Sequence, residues 1–162
     1  MFAPQLLALA KSVLSTSRAK RLRIVTAESC TGGLISVLLT EIPGSSDVLD
    51  RGYVVYSNQA KSEMLGVPTD FITKHGAVSE EVARVMAQGA LAHSDAQLAV
   101  AVTGIAGPGG GSDSKPVGLV HIAVARNNGA LLHEEHRFGD IGRRDIRMRS
   151  VEAALKLLQR LL

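Results

Sequence analysis

Ala27-Glu28-Ser29-Cys30-Thr31-Gly32-Gly33 joins a short apolar run at residues 22–26 to a second apolar run at residues 34–39. The first run ends in β-branched residues and predicts a strand, whereas the second has helical periodicity. The heptapeptide is therefore predicted to be a tight strand-to-helix turn that is rich in hydroxyl and thiol groups.

This turn has the features of an anion-binding site. A helix that begins after Gly33 leaves its first N–H groups without intrahelical partners, with the positive end of the helix dipole behind them. The glycines lack Cβ atoms, so a ligand can approach the backbone closely. We predict that Ser29 is a nucleophile; the alternative is that its hydroxyl only caps the helix. The N–H groups predicted to hold the oxyanion are those of Cys30, Thr31, Gly32 and Gly33.

Composition limits the class of protein and its partners. The 162 residues fit one domain, residues 1–162, and a hydrophobic content of 46% excludes a disordered chain. With no Trp, two Tyr and three Phe, the chain has few side chains for base stacking, which argues against nucleic acid as a partner. A formal net charge of +3 without a lysine run favours a small anionic ligand over a duplex.

Cysteine content and hydropathy indicate the compartment. Cys30 is the only cysteine, so one chain forms neither a disulfide framework nor a cysteine-based zinc site, and we expect a cytoplasmic protein. No apolar segment is long enough to cross a membrane, and the basic residues near the amino terminus follow the apolar stretch, the reverse of a secretory signal. The sequence leaves the oligomeric state, including any homo-oligomer, open.

Periodicity and turn residues divide the chain into alternating elements. Helices are predicted over residues 4–20, 34 to about 43, 57–65, 78–94 and from 142 onward, and residues 68–75 are predicted to be a short helical or turn segment. Strands are predicted over residues 23–26, 50–56, 98–103, 117–125 and 131–138. Early strands alternate with helices, and the last two pair through an Asn127-Asn128-Gly129 hairpin. The sequence thus predicts an α/β fold with a mixed sheet and helices on both faces.

Polar segments follow three of these strands and are expected to converge at one edge of the sheet, where open α/β sheets bind ligands. Besides the Ser29 turn, they are Tyr56-Ser57-Asn58 with Lys61, and the glycine-rich loop that begins at Gly104. Lys61 is either an ordinary solvated helix lysine or a buried one that faces Ser29. In the second case burial lowers the pKa of its amine, which can then accept the Ser29 proton.

The loop begins with Thr103-Gly104-Ile105-Ala106-Gly107-Pro108-Gly109-Gly110-Gly111. It is neither a P-loop nor a dinucleotide fingerprint, because Lys115 is followed by Pro116 and no helix opens after the glycines. It is either an idle surface connection or a backbone wall for a phosphate, a ribose or a planar ring. The predicted substrate contacts are Thr103, Gly104, Ala106, Gly107, Gly109 and Gly110.

Two arginines on the last helix are further candidates. Arg143 and Arg147 are four residues apart and lie on one helix face. They either form surface salt bridges or clamp a phosphate, for which guanidinium groups are well suited.

Cys30 is a rival nucleophile, but a thiol needs a basic partner and no histidine spacing nominates one. His133 and His136 are three residues apart, which places them on opposite faces of a strand and argues against a shared metal. The chain has no metal-ligand motif, so we expect neither a metal nor a cofactor.

Taken together, the motifs resemble those of the CinA carboxy-terminal domain family, whose members include nicotinamide mononucleotide deamidase. The resemblance covers essentially the whole chain. The motifs that carry it are the heptapeptide at 27–33, Tyr56-Ser57-Asn58 with Lys61, Leu65-Gly66-Val67, Gly76-Ala77-Val78-Ser79, residues 103–110, Lys115-Pro116-Val117-Gly118, and Gly142-Arg143 with Ile146-Arg147.

This resemblance implies a three-layer α/β/α sandwich with a mixed, mostly parallel sheet. It also implies metal-free hydrolysis of nicotinamide mononucleotide to nicotinic acid mononucleotide and ammonia, a reaction of pyridine nucleotide recycling. Family members are described as Ser/Lys amidohydrolases, which assigns the nucleophile to Ser29 and the base to Lys61, with Tyr56 nearby. The alternatives are a non-catalytic nucleotide-binding module of the competence/damage-inducible type and an amidase for another small amide.

Overall fold

The computed structural model describes residues 1–162 and contains six α-helices and five β-strands. The helices are α1 (Pro4–Ala19), α2 (Leu34–Thr40), α3 (Asn58–Leu65), α4 (Thr69–His75), α5 (Glu80–Ala92) and α6 (Arg143–Gln159). The strands are β1 (Ile24–Glu28), β2 (Leu49–Val54), β3 (Leu98–Gly104), β4 (Leu119–Arg126) and β5 (Leu131–Arg137), and a short 3₁₀ helix spans Ser45–Asp47. Every predicted helix and strand is present, with ends that differ by no more than a few residues.

The strands form one mixed sheet in the order β2-β1-β3-β4-β5. β1 pairs in parallel with both β2 and β3, whereas β4 is antiparallel to β3 and to β5. Four strands therefore run in one direction and only β4 opposes them, which confirms the expected mixed, mostly parallel sheet. This topology brings the C-terminal ends of β1, β2 and β3 to the same edge of the sheet.

Helices cover both faces, so the three-layer α/β/α sandwich is confirmed. Strand β3 shows how the two faces differ, because it alternates larger aliphatic residues with alanines and is almost entirely buried. Its Leu98, Val100 and Val102 pack in the core beneath α1, α2 and α6. Ala99 and Ala101 face the core of α3, α4 and α5, and their small side chains leave room for α5 to lie close to the sheet.

Strand β1 is longer than predicted at its C-terminal end. Glu28 is still paired with β2 and β3, opposite Val54 and Val102, so the turn begins at Ser29. The continued backbone pairing outweighs the weak strand preference of Glu28, since both neighbouring strands extend to the same level.

No helix combines the length and apolar character that crossing a bilayer requires.

A close contact between α3 and α5 sets the position of α3, which carries Lys61. Gly89 lies inside the C-terminal part of α5 and is buried against the end of α3. A Cβ atom at this position would overlap the carbonyl oxygen of Leu65. Glycine is unfavourable inside a helix, so its presence here follows from the close approach of the two helices.

We expect Gly89→Ala to lower the free energy of unfolding by about 1–3 kcal/mol, as overpacking usually does. This would occur although alanine favours an isolated helix by roughly 1 kcal/mol over glycine. Urea denaturation of the variant measures the change. The exposed neighbour provides a control, and Gln88→Ala should shift stability by no more than about 0.5 kcal/mol. Stabilisation by Gly89→Ala would contradict the tight α3–α5 contact.

Candidate active site

Ser29 and Lys61 meet at the C-terminal edge of the sheet. Ser29 is the first residue after β1, and Lys61 lies in the first turn of α3. The Lys61 Nζ lies 3.1 Å from the Ser29 Oγ. Nζ also donates to the carbonyl of Val55 at 3.0 Å and to that of Tyr56 at 3.4 Å. The predicted contact between the amine and the hydroxyl is present.

These three partners can satisfy an uncharged amine as fully as an ammonium. A neutral amine has two N–H groups and one lone pair. The carbonyls of Val55 and Tyr56 can only accept hydrogen bonds, so they use the two N–H groups. The hydroxyl of Ser29 is the one partner that can also donate, and the lone pair is left for it.

Burial favours the uncharged form of the Lys61 amine. Its side chain is only 1% exposed, and it forms no ion pair with a carboxylate. Burial in these surroundings lowers the pKa of the Lys61 amine below its ordinary value of 10.5, with only a small opposing effect from Cys30. The interpretation of Lys61 as a solvated surface lysine is therefore wrong.

Local structure places the lysine. The hydroxyl of Ser57 accepts a hydrogen bond from the Ala60 N–H at 3.0 Å and caps α3. The Val55 N–H donates to the Glu28 carbonyl at 2.9 Å and holds the chain after β2 beside the end of β1. A helix that starts directly after this point carries Lys61 back toward Ser29.

A cavity of about 210 Å³ opens over the two side chains. Its walls come from all the polar segments predicted to converge, and from the start of α6. With the Lys61 amine uncharged, Arg143 is the only charged lining residue, and the cavity has no carboxylate to repel an anion. The lining residues are Ser29, Cys30, Tyr56, Asn58, Lys61, Ala77, Val78, Thr103, Gly104, Ala106 and Arg143.

The two glycines of the heptapeptide are required by the turn itself. Gly32 and Gly33 have φ angles of +59° and +98°, and the Leu34 N–H donates to the Thr31 carbonyl at 3.1 Å across them. Positive φ at both central positions is typical of a type I′ turn, which residues with a Cβ adopt at a cost. The glycines therefore have a conformational role in addition to any close approach of a ligand.

The prediction that the first amides of α2 form an open anion site is wrong. The buried side chain of Glu28 accepts from the Ile35 N–H at 2.9 Å and from the Ser36 N–H at 3.2 Å. The hydroxyl of Ser36 donates to the same side chain at 3.3 Å. An acidic side chain of the protein itself thus satisfies the N-terminal end of the helix.

Few amides of the turn remain for a ligand. The Ser29 N–H donates to the Val102 carbonyl, and the Gly32 N–H donates to the Ser29 carbonyl, both at 3.0 Å. The N–H groups of Cys30, Thr31 and Gly33 form no hydrogen bond with another residue. Of the four predicted oxyanion donors, Gly32 is already engaged within the protein.

Cys30 does not have the properties of a nucleophile. Burial raises the pKa of its thiol to about 12, and the residue packs in the core beneath α1, α2 and α6. A thiol that stays protonated at neutral pH is a weak nucleophile. This observation favours Ser29 over its neighbour.

Arg143 bridges two walls at the mouth of the cavity. Its guanidinium donates to the Tyr56 hydroxyl at 3.0 Å and to the Gly107 carbonyl at 2.8 Å. Tyr56 is 60% exposed and lies at the rim rather than inside. The bridge places a positive charge where an anionic part of a substrate would enter. Phosphate binding by Arg143 agrees with this position and stays a prediction.

Arg147 lies beneath the turn rather than at the mouth. Its Nε and one terminal nitrogen donate to the carbonyls of Cys30 and Thr31, both at 3.1 Å. Two of its donors are thus engaged within the protein, and neither arginine forms the surface salt bridges considered above.

The glycine-rich loop contributes only in part. Gly104 and Ala106 line the cavity and Gly107 contacts Arg143, whereas Gly109 and Gly110 are exposed and lie outside the lining. Thr103 lines the cavity, but its hydroxyl donates to the Ala77 carbonyl at 2.8 Å.

Ala77 and Val78 are lining residues that reasoning from residue types missed. They lie between α4 and α5, where the Thr103 hydroxyl and the Lys115 amine, 3.1 Å from the His75 carbonyl, hold the segment in place. Apolar residues in a connecting segment carry no chemical signal. Their motif, Gly76-Ala77-Val78-Ser79, stood out only through the family resemblance.

The histidines lie away from this cavity. His121 Nδ1 and His133 Nε2 are 2.9 Å apart, a pairing that sequence spacing did not reveal because it depends on the register of β4 and β5. His136 instead pairs with Glu134. No three His, Cys, Asp or Glu side chains converge as a metal site would require.

Comparison with known proteins agrees with the fold and the motifs. The family model described as the CinA C-terminal domain matches residues 6–162. A CinA-like protein from Synechococcus sp. (strain RCC307) is 51% identical over 152 residues, which cover 93% of this chain and 36% of the relative. The chain spans about a third of the length of the curated relatives it matches.

Solved structures of similar length match as well. The crystal structure of the competence/damage inducible protein CihA from Agrobacterium tumefaciens is 55% identical, with a TM-score of 0.98 and coverage of 99% of this chain and 98% of that one. A CinA superfamily protein from Escherichia coli is 32% identical, with a TM-score of 0.92 and coverage of 100% and 94%. The chain belongs to the CinA C-terminal domain family.

Proposed function

We propose that this protein hydrolyses the carboxamide of nicotinamide mononucleotide to nicotinic acid mononucleotide and ammonia through an acyl-enzyme on Ser29. The observation that carries the proposal is the buried amine of Lys61, without an acidic partner, 3.1 Å from the Ser29 Oγ. An amine of this kind is a general base for a serine. The family resemblance supplies the substrate.

In the first half-reaction Lys61 accepts the proton of Ser29, and the Ser29 oxygen attacks the amide carbon. The free N–H groups of Cys30 and Thr31 hold the oxyanion that forms. The tetrahedral intermediate then expels the amide nitrogen, which takes the proton from the Lys61 ammonium and leaves as ammonia. Tyr56, at the cavity rim, is assigned to assist this proton transfer.

In the second half-reaction a water molecule takes the place of the ammonia that has left. Neutral Lys61 takes a proton from the water, which attacks the ester carbon of the acyl-enzyme. The Ser29 oxygen leaves and regains its proton from Lys61, so the enzyme returns to its starting state. The sum of the two steps converts one amide and one water into one acid and one ammonia.

The size and charge of the cavity support a nucleotide with its phosphate outside. A volume of about 210 Å³ is smaller than the roughly 300–1,000 Å³ typical of pockets that enclose a whole ligand. We therefore assign the cavity to the pyridine ring and the adjoining ribose, against Gly104 and Ala106. The phosphate would lie near Arg143, and this contact orients the ring for attack.

The reaction is placed in the cytoplasm as part of the same proposal. The single cysteine and the absence of any disulfide support a reducing compartment.

Ammonia release from nicotinamide mononucleotide by the wild-type protein is the primary test, with mass spectrometry detecting the acid product. Ser29→Ala should lower kcat by about 10⁴-fold or more, because the nucleophile is lost. Lys61→Met should lower kcat by about 10²–10⁴-fold, the usual contribution of a general base.

Lys74→Met is a matched control, since this lysine is exposed on α4 and does not line the cavity. It should leave kcat unchanged. Ammonia release by Ser29→Ala at the wild-type rate would refute the mechanism. Binding without turnover by the wild-type protein would favour a regulatory module, and turnover of other amides alone would favour a different amidase.

The pH dependence of stability tests the state of Lys61 without any substrate. Burial lowers the folded-state pKa of the amine, so between that value and 10.5 the unfolded chain binds more protons than the folded one. The free energy of unfolding of the wild type, relative to Lys61→Met, should therefore rise with pH through this window. Urea denaturation of both proteins at several pH values measures the difference. A difference that stays constant or falls with pH would contradict a depressed pKa.

The thiol of Cys30 should be unreactive in the native protein. With a pKa raised to about 12 by burial, it is not expected to react with iodoacetamide at pH 8, whereas the urea-unfolded chain should react fully. Mass spectrometry counts the modified fraction. Rapid alkylation of the folded protein would restore Cys30 as a candidate nucleophile.

A further inference from the structure

The turn that carries Ser29 is held by a side chain from a distant part of the chain. Arg147, in the second turn of α6, donates to two successive carbonyls of the turn, those of Cys30 and Thr31. The guanidinium is half-buried and forms no salt bridge with a carboxylate. Its only hydrogen-bond partners are these two backbone oxygens, so its contacts serve the turn alone.

These contacts fix the direction of the peptide groups. In a trans peptide the carbonyl and the N–H point in opposite directions. Because Arg147 holds the Cys30 carbonyl, the Thr31 N–H of the same peptide must point away from the guanidinium. The Thr31 carbonyl is held in the same way, and the Gly32 N–H of that peptide points back to the Ser29 carbonyl at 3.0 Å.

A cation on the carbonyl also strengthens the donor at the other end of the peptide. Hydrogen bonds polarise one another along a chain, and each strengthens the next by about 10–30%. The guanidinium on the Cys30 oxygen therefore makes the Thr31 N–H a better donor. This is the N–H that no protein acceptor uses.

The neighbouring residues leave space for this arrangement. A Cβ atom at Gly32 would lie 3.2 Å from the Arg147 terminal nitrogen, closer than almost all such contacts. Glu28 meanwhile engages the Ile35 and Ser36 amides, which removes the first turn of α2 as a competing set of donors. Of the free amides near Ser29, the Thr31 N–H is the one whose direction Arg147 sets.

We propose that Arg147 is a positioning residue for the oxyanion hole, which orients and polarises the Cys30–Thr31 peptide so that its free N–H, that of Thr31, serves as an oxyanion donor beside Ser29. The expected effect on kcat rests on the proposed amide hydrolysis, whereas the orientation of the peptide groups does not. An arginine is needed because its planar fork reaches two carbonyls at once, whereas a lysine presents a single point charge.

The kinetic test compares Arg147→Ala and Arg147→Lys with wild type on nicotinamide mononucleotide. We expect kcat to fall by about 10²–10³-fold in Arg147→Ala, the usual effect of losing one oxyanion donor, while KM stays within about threefold. Arg147→Lys keeps the charge and most of the side chain, so it should fold, yet its kcat should fall at least about tenfold. Added guanidinium ion should restore part of the kcat of Arg147→Ala but none of that of Ser29→Ala.

Arg149→Ala is the matched control. Arg149 lies on the same helix, is exposed, and forms no hydrogen bond with the protein, so its loss should leave kcat unchanged. Wild-type kcat in Arg147→Lys, or a loss that appears in KM alone, would overturn the proposal.

A second measurement separates this inference from the proposed function. The amide ¹⁵N resonances of Thr31 and Gly32, the nitrogens of the two peptides whose carbonyls Arg147 holds, should shift in Arg147→Lys but not in Arg149→Ala, whether or not the protein acts on the nucleotide. If wild type releases no ammonia and these resonances still shift, the proposed function fails and the positioning role stands. If the resonances do not move, the positioning role is refuted irrespective of activity.

Discussion

A lysine amine without a carboxylate partner, buried at the edge of the sheet, is the constraint on which the site depends. Burying a charged ammonium is costly, so the amine is driven toward its neutral form. The buried amine is still hydrogen-bonded, because the chain after β2 presents the carbonyls of Val55 and Tyr56, which are not paired with any strand. These two carbonyls accept its N–H groups. The remaining contact, with the Ser29 hydroxyl, is the one that chemistry can use.

The turn after β1 is stabilised from both sides by side chains that do not enter the cavity. Glu28 accepts from the amides that start α2, and Arg147 donates to the carbonyls of the turn. The acidic side chain thus accepts from backbone N–H groups, and the basic side chain donates to backbone carbonyls. The cavity lining contains no carboxylate, and with the Lys61 amine uncharged its one positive group is Arg143, which suits an anionic substrate.

Helix α6 contributes two arginines to the site. Arg143 and Arg147 are four residues apart and lie on one face, as their spacing predicts. Yet the first bridges Tyr56 and Gly107 at the cavity mouth, while the second lies beneath the turn. One helix therefore connects the rim of the cavity with the support of the nucleophile. The same face also packs through Ile146 into the core, which keeps both arginines in place.

The sequence by itself determined the order of helices and strands, the mixed sheet and the convergence of the Ser29, Lys61 and Gly104 segments. These follow from local periodicity and from the rule that parallel strands end at one edge. Only the tertiary structure decided that Glu28 accepts from the first amides of α2, that Arg147 donates to two carbonyls of the turn, and that His121 pairs with His133. Side-chain partners of this kind depend on register and on close packing between distant segments. Residue type and spacing along the chain do not encode those distances, so the partners appear only once the layers are assembled.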